Sequence, residues 1–581
     1  MKIDIQTKSQ ELKDYISQFE TNSFVSQICF VLNSALRMDG KALSLKSPAM
    51  QVLYLLSLFL NTSKKGNKKF DLASGRFKYI EQLLTDVENG YRYNFMTEIQ
   101  REGLTEDVLD RIEVSQSTYI DFFVNAPLNY TEQEIDKIQD IFSLYDDFIY
   151  KQTGLYLKDY LLFFEITENI DTNKYTDYQK QVYTEESLKY YQQAVDESDL
   201  HLSNESFSKL YELAEKAISS LSIQKEELLN NGLSEDKINK LLNYFSIERN
   251  IDSSSDYLYY TQSCPLLLTP IIRLPNDSLM FPMQKQLIHA IFNHLLNVCM
   301  NMDKSGRKIL ERRDKRLEEK TVKVIKRFLG DNAKVYTNYY VNDSEKDILV
   351  LYRDTAFIIE CKAHKSREPF RDIDIAFTRI KDDFRKSIQK GFDQVIEVYD
   401  LFEQSELMVI KNNRGNAIAE INTRKYRNVF TLIITQERLG QIQVDLGLLL
   451  DIKDACNYPW SICVDDLESI LITLSRRESP YGDFITYLSN REKLYERVWC
   501  FDELELVALY LTNKKYFIDI CNRTEYFLSN PHEDQIFDFL YNIGFGFKNE
   551  RNLENKKIRA QIISDEVRRN LINAKLKHKP R

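Results

Sequence analysis

The sequence predicts an α+β protein: a large all-helical N-terminal region, one α/β domain in the middle and a helical C-terminal region. Three observations predict this. Glycine and proline are scarce, 16 and 11 in 581 residues, which favours long helices with few obligatory breaks. Apolar residues recur at helical spacing over most of the first 250 positions. Between about 333 and 363 the period switches to two, in three consecutive runs.

Composition narrows the class further. With 43% apolar and 29% charged residues the chain can bury real cores, and its length suggests several domains. The eight cysteines, at 29, 264, 299, 361, 456, 463, 500 and 521, include no C-x-x-C pair, so neither a zinc cluster nor a redox dithiol is indicated. A dispersed set suggests reduced thiols and a cytoplasmic protein. The N-terminal MKIDIQTKSQ has no apolar signal core, and the longest strongly apolar run, residues 50–60, is about half of what a membrane span needs, so no membrane partner is expected.

Taken in order, residues 1–262 read as an acidic helical region suited to sensing or partner contact, with stretches such as FVSQICFVLNSAL and QVLYLLSLFL. Its many Tyr and Phe are read as core packing. Residues 101–200 hold 22 acidic and 8 basic side chains, a solvated surface or, more sharply, a protein interface or nucleic-acid-excluding face. Residues 263–303 read as a hairpin around Pro-Asn-Asp followed by a helix from about 283 to 302. His289 and His294, five apart on that helix, do not share a face as a zinc-binding pair would and are read as structural. Residues 304–475 read as the α/β domain. A basic helix, with 11 basic and 4 acidic residues over 304–327, leads into the strands AKVYTNYYV, KDILVLY and TAFIIECKA. A long helix over about 373–403 and strands near 428–436 and 459–466 complete it. Residues 476–581 read as helical with a basic tail, 10 basic and 3 acidic over 551–581. The formal net charge of −10 therefore conceals two basic segments of +7 each.

The chemistry concentrates at 345–362, EKDILVLYRDTAFIIECK. Alternation places Glu360 and Lys362 on one face of their strand. A two-residue turn at Arg353-Asp354 pairs 352 with 355 and 350 with 357, which sets Asp347 opposite Glu360, with Cβ atoms about 5 Å apart. Two carboxylates that close repel unless a cation lies between them, as at a hard-metal site. The plainer alternative is a salt bridge at a sheet rim between Lys362 and either carboxylate. Glu-x-Lys alone says little, since Glu235-Asp-Lys237 and Glu318-Glu-Lys320 stand in helical settings. The register-matched Asp gives the pattern its meaning.

This segment resembles the core of the PD-(D/E)xK nuclease superfamily, with Asp347, Glu360 and Lys362 at its three signature positions and Lys346 where the family usually has Pro. The surroundings are similar to restriction-endonuclease-like and NERD-type domains, over about residues 305–475. The resemblance implies a three-layer domain with a mixed sheet and a metal-dependent, phosphodiester-cleaving activity, on DNA first and with RNA left open, endonucleolytic rather than exonucleolytic. Mg²⁺, with Mn²⁺ able to substitute, would be held by Asp347, Glu360 and the backbone carbonyl of Cys361. Lys362 would position or help deprotonate the attacking water. Members often carry a Glu on the helix before the first strand. Glu318, on the face of Val322, Ile325 and Leu329, is preferred to Glu319 for that place.

Candidate nucleic-acid contacts are Arg312, Arg313 and Arg316 on the basic helix and Lys381, Arg385, Lys386, Gln389 and Lys390 on the later one, where Lys381/Arg385 and Lys386/Lys390 are i, i+4 neighbours. A solvated helix face is the equal alternative. Gln389 and Gln394 invite comparison with a Gln of related nucleases, and His364 is read as a bystander. No phosphate-binding G-x-x-x-x-G-K-[ST], G-x-G-x-x-G or G-x-S-x-G stretch is present. Any nucleotide-driven motor or activating partner would be another chain, or a second copy of this one. Fold-level analogy suggests bacterial antiviral defence or restriction. The competing expectation is a catalytically silent nuclease-fold scaffold that works through partner contacts.

Overall fold

The computed structural model describes residues 3–37, 45–62, 66–72, 75–123, 129–182, 184–196, 205–229, 231–249, 257–364, 367, 373–452, 457–529 and 535–542. It is α+β overall and 63% helical. Contacts divide the chain into two units: residues 1–105 with 123–309, and residues 106–122 with 310–581. The basic tail lies outside the described residues.

The first unit is helical, with long members at Thr21–Arg37, Arg76–Glu102 and Leu157–Val182. The segment expected to form a hairpin begins as a short helix, Pro265–Leu268, then pairs Ile271–Arg273 with Leu279–Met280. His289 and His294 lie on the helix Gln286–Met300. Burial pushes both imidazoles down to about 4, so they pack as neutral rings, His294 against Tyr244 at 4.3 Å between ring centroids. Among the described residues no helix is long and apolar enough to cross a membrane.

The second unit is built on a seven-stranded mixed sheet. Its elements, in chain order, begin with α1 (Glu106–Phe123) and α2 (Arg307–Leu329), then β1 (Lys334–Val341), β2 (Ser344–Tyr352) and β3 (Thr355–Lys362). Next come α3 (Ile373–Phe384), a π-turn at Arg385–Gln389, and α4 (Lys390–Gln404). They are followed by β4 (Leu407–Lys411), β5 (Ala417–Asn422), β6 (Asn428–Thr435), β7 (Trp460–Cys463), α5 (Val464–Leu474), α6 (Pro480–Arg491), α7 (Glu503–Thr512) and α8 (Lys514–Cys521). The strand order is β7-β6-β3-β2-β1-β4-β5. The pairs β3/β6 and β6/β7 are parallel and the others antiparallel.

Each element follows from its residues. Asp303 accepts the backbone N–H groups of Arg307 and Lys308, both at 3.0 Å, at the start of α2. Gly330, at φ +76°, ends that helix by donating to the Lys326 carbonyl. The middle strands β3 and β6 are apolar on both faces because helices cover both. One face packs Ile348, Val350, Phe357 and Ile359 against Leu317, Val324 and Ile325 of α2 and against α5–α8. The other packs Leu349, Leu351, Ala356 and Ile358 against Val395, Val398 and Phe402 of α4. Burying each such side chain contributes roughly 1.5–3 kcal/mol. Gly391 lets α4 approach the sheet, since a Cβ there would meet the Ile433 side chain at 3.0 Å. Helices α6, α7 and α8, expected in a separate C-terminal region, share the core of the sheet. The β4–β5 hairpin was not expected.

Candidate active site

The turn between β2 and β3 is the two-residue Arg353-Asp354, with Arg353 at φ +54°. From it the ladder runs Tyr352–Thr355 through Ile348–Ile359, the expected register. It stops one pair short of Asp347 and Glu360, where side chains take over. The Asp347 amide donates to Glu360 Oε1 at 3.1 Å, and the Cys361 amide donates to Asp347 Oδ2 at 2.7 Å. Each carboxylate thus satisfies a backbone group that the interrupted ladder leaves over.

The other edge of β2 is interrupted at the same level. Pairing with β1 skips Asn338 and Asp347, and Asn338 stands at φ +49°. The face pattern shifts phase there. On β1, Val335 packs toward α2, whereas Tyr339 and Val341 pack toward α4. On β2, Lys346 reaches Glu397 of α4 although alternation from Ile348 would turn it to α2. A matched irregularity across two strands therefore surrounds Asp347.

The Lys362 ammonium lies 2.8 Å from Glu360 Oε2 and 3.8 Å from Asp347 Oδ2. Glu360 is 1% exposed. Burial first, and the Asp347 charge second, hold its carboxyl above the usual range, with Lys362 giving partial relief. Glu318 of α2 is pushed up to about 7 by burial and then by Asp347, Glu345 and Asp314. Glu319 is exposed and bonded to Arg312, so Glu318 is the helix carboxylate whose charge acts on the group. The Cys361 thiol faces α2, 3.7 Å from Thr321 Oγ1.

These donors fit a hard divalent cation by their chemistry: they are carboxylate oxygens, and two of them are held above their ordinary range by burial first and by neighbouring negative charge second. Among the described residues no group of three or more His, Cys, Asp or Glu is gathered in ligating geometry. Lys362 supplies the compensating charge.

The nucleic-acid candidates fare unevenly. Arg316 is corrected: at 1% exposure it is buried, with Nη1 3.4 Å from Gln436 Oε1, because this turn of α2 faces the core rather than solvent. Arg312 and Arg313 are partly buried and paired with Glu319 and Asp314. Lys381 lies over the Phe377 ring, and Lys386 pairs with Asp382. Gln389 is bonded to Asp393 and to the Asp451 backbone. Arg385 and Lys390 are exposed. The π-turn spans 385–389, so the i, i+4 faces drawn through this helix are reset by one residue. His364 bonds Asp383 at 3.2 Å. Sequence reasoning missed Gln436, whose backbone N–H donates to the Lys362 carbonyl at 3.3 Å. Its place directly after the apolar run of β6, which pairs with β3, was the available signal. A shallow cleft lined by Tyr399, Phe430, Tyr458, Trp460 and Arg491 lies toward the opposite end of β6 from Lys362 and takes no part in this site.

Residues 313–418 match the family model of the nuclease-related domain, NERD, which is PD-(D/E)xK-like. The chain therefore carries a nuclease-related domain, over 106 of its 581 residues. No curated protein and no solved structure gives a match to the chain.

Proposed function

We propose that this domain is a metal-dependent nuclease that hydrolyses DNA phosphodiester bonds, cutting within the strand. The observation that carries the reading is the Asp347–Glu360 carboxylate pair with Lys362 bridging it. Asp347 and Glu360, with Glu318 and the Cys361 carbonyl, would hold Mg²⁺ or Mn²⁺. When bound, the ion supplies Lewis-acid stabilisation of the charge that develops on the phosphate. Lys362 would turn its ammonium to the reacting phosphate and orient the water that attacks phosphorus; as the bond to the leaving sugar oxygen breaks, the proton the water sheds passes to solvent and that oxygen takes one up from solvent. Exposed Lys323 and Lys326 of α2, with Arg385 and Lys390, supply charge for the phosphate backbone. A cytoplasmic role in bacterial antiviral defence or restriction suits such an activity, triggered by a partner or by self-association.

The test is cleavage of closed circular DNA, linear DNA and RNA with Mg²⁺, Mn²⁺ or a chelator. Asp347→Ala and Lys362→Ala should each lose roughly 10²–10⁴-fold in rate with the fold intact. Variants that cut as fast as the wild type would sink the site assignment. Lack of cleavage of the circle, with the linear form degraded, would make the enzyme an exonuclease.

One observation favours the second reading, a silent scaffold: ligating carboxylates are not gathered among the described residues. It predicts metal-independent nucleic-acid or protein binding with no cleavage under any of these conditions.

A further inference from the structure

The phase shift at Asn338 has a consequence for one side chain. Tyr339 follows Asn338 on β1 and pairs with Lys346 on β2, next to Asp347. An uninterrupted strand would alternate from Val335 and turn residue 339 toward α2. The shift sends it to the α4 face instead, which is also the face of Glu360 as alternation from Ala356 and Ile358 places it. There Tyr339 is 0% exposed, and its hydroxyl has no hydrogen-bond partner among the described residues. The charges of Glu360 and Asp347 both act on it.

A buried hydroxyl without a partner costs about 1–3 kcal/mol, and phenylalanine would fill the same space without that penalty. The hydroxyl is therefore a poor choice for packing alone. A use appears when the site changes state. In the structure Lys362 carries the burden of the Glu360 carboxylate, at 2.8 Å. The nuclease reading requires that ammonium at the reacting phosphate, which takes the lysine from Glu360 Oε2 and leaves the Asp347 amide on Oε1 as the protein donor the structure gives this carboxylate.

We propose that Tyr339 is a positioning residue of the nuclease site, its hydroxyl donating to the Glu360 carboxylate when Lys362 turns to the phosphate. The proposal rests on the metal-dependent nuclease reading. Tyr339 touches neither substrate nor metal. It fixes the orientation of a carboxylate that would hold the ion, and outer partners of this kind are commonly worth 10–100-fold in metal affinity.

The experiment compares the full-length wild type with Tyr339→Phe in three measurements: Mn²⁺ affinity by titration calorimetry, metal-free melting temperature, and steady-state cleavage. The variant should bind Mn²⁺ about 10–100-fold more weakly, melt no lower than the wild type, and lose kcat with KM unchanged. Purely structural packing would move melting rather than metal affinity. Equal Mn²⁺ affinity in the two proteins, or a lower melting temperature in the variant, overturns the proposal while leaving the nuclease reading in place. A wild type that binds no Mn²⁺ overturns both.

Discussion

Two glutamates of the same unit, Glu503 and Glu360, are both almost wholly buried, and their surroundings differ in kind. Glu503 begins α7 and accepts from Trp460 Nε1 at 2.7 Å, from the Tyr487 hydroxyl, and from Arg491 Nε and Nη2 at 2.9 and 3.1 Å. Its countercharge, Arg491, is equally buried and also donates to the Val444 carbonyl. Glu360 instead faces another carboxylate and shares one lysine with it. The first arrangement ties α6 and α7 to the sheet. The second leaves negative charge in excess. A buried charge matched by an equally buried countercharge holds structure together, whereas one left in excess is set up for a further positive partner.

That contrast can be broken by experiment, most forcefully at Arg491. Arg491→Met strands Glu503 in the core without its cation and should destabilise the unit by about 3–5 kcal/mol, a fall in melting temperature on the order of 10 °C. A change of a degree or two would place Glu503 in the same class as Glu360 and dissolve the distinction.

Glu505, one turn along from Asp502, supplies an intermediate case. It is 2% exposed, and burial, followed by the Asp502 charge, pushes its carboxyl up from 4.5 to about 7. The folded state then keeps a proton that the unfolded chain has released. The resulting stability is full below about pH 4.5 and is lost as pH rises through about 7. The difference in unfolding free energy between pH 5 and pH 7.5, read from denaturant midpoints, should be smaller in Glu505→Gln than in the wild type by an amount on the order of 3 kcal/mol, the remainder belonging to Glu318 and Glu360. A slope unchanged in the variant assigns the proton to another group.

The smallest effect sharpens the comparison from the other side. Asp347→Asn keeps an oxygen for the Cys361 amide and deletes the charge that opposes Glu360 and Glu318. The metal-free protein should gain about 1 kcal/mol, read as a higher melting temperature, in the opposite direction from Arg491→Met. A loss of stability would mean that the Asp347–Lys362 attraction outweighs the repulsion.

Much of this site was legible in the chain, because it is built from local rules. Strand alternation and a two-residue turn fix the register down to Ile348–Ile359, and helical periodicity separates Glu318 from Glu319. What escaped depends on distant partners. The shift of phase at Asn338 and Asp347 involves no glycine and leaves no mark in the spacing of YTNYYVNDSEKDI. Arg316 reads as surface charge within a basic helix, and only the packing of α2 buries it. The β4–β5 hairpin did carry a signal, Asn-Asn-Arg-Gly between two short apolar runs, but its exposed Leu407 and Ile418 blur the alternation. The joining of α6–α8 to the sheet core is a long-range fact that no local pattern encodes.

The membership of α1 in the second unit bears on how the molecule is made. Val114 packs with Ala376, Phe384, Ile433 and Leu450, so its first partner follows it by 262 positions. At roughly 5–20 residues added per second, α1 leaves the ribosome about 10–50 s before the surface that receives it exists. Throughout that interval the helices on either side of α1, at 76–102 and 131–142, are free to assemble around it. Until residues 376–450 have been made, the Val114 face of α1 lacks the surface that covers it in the folded unit.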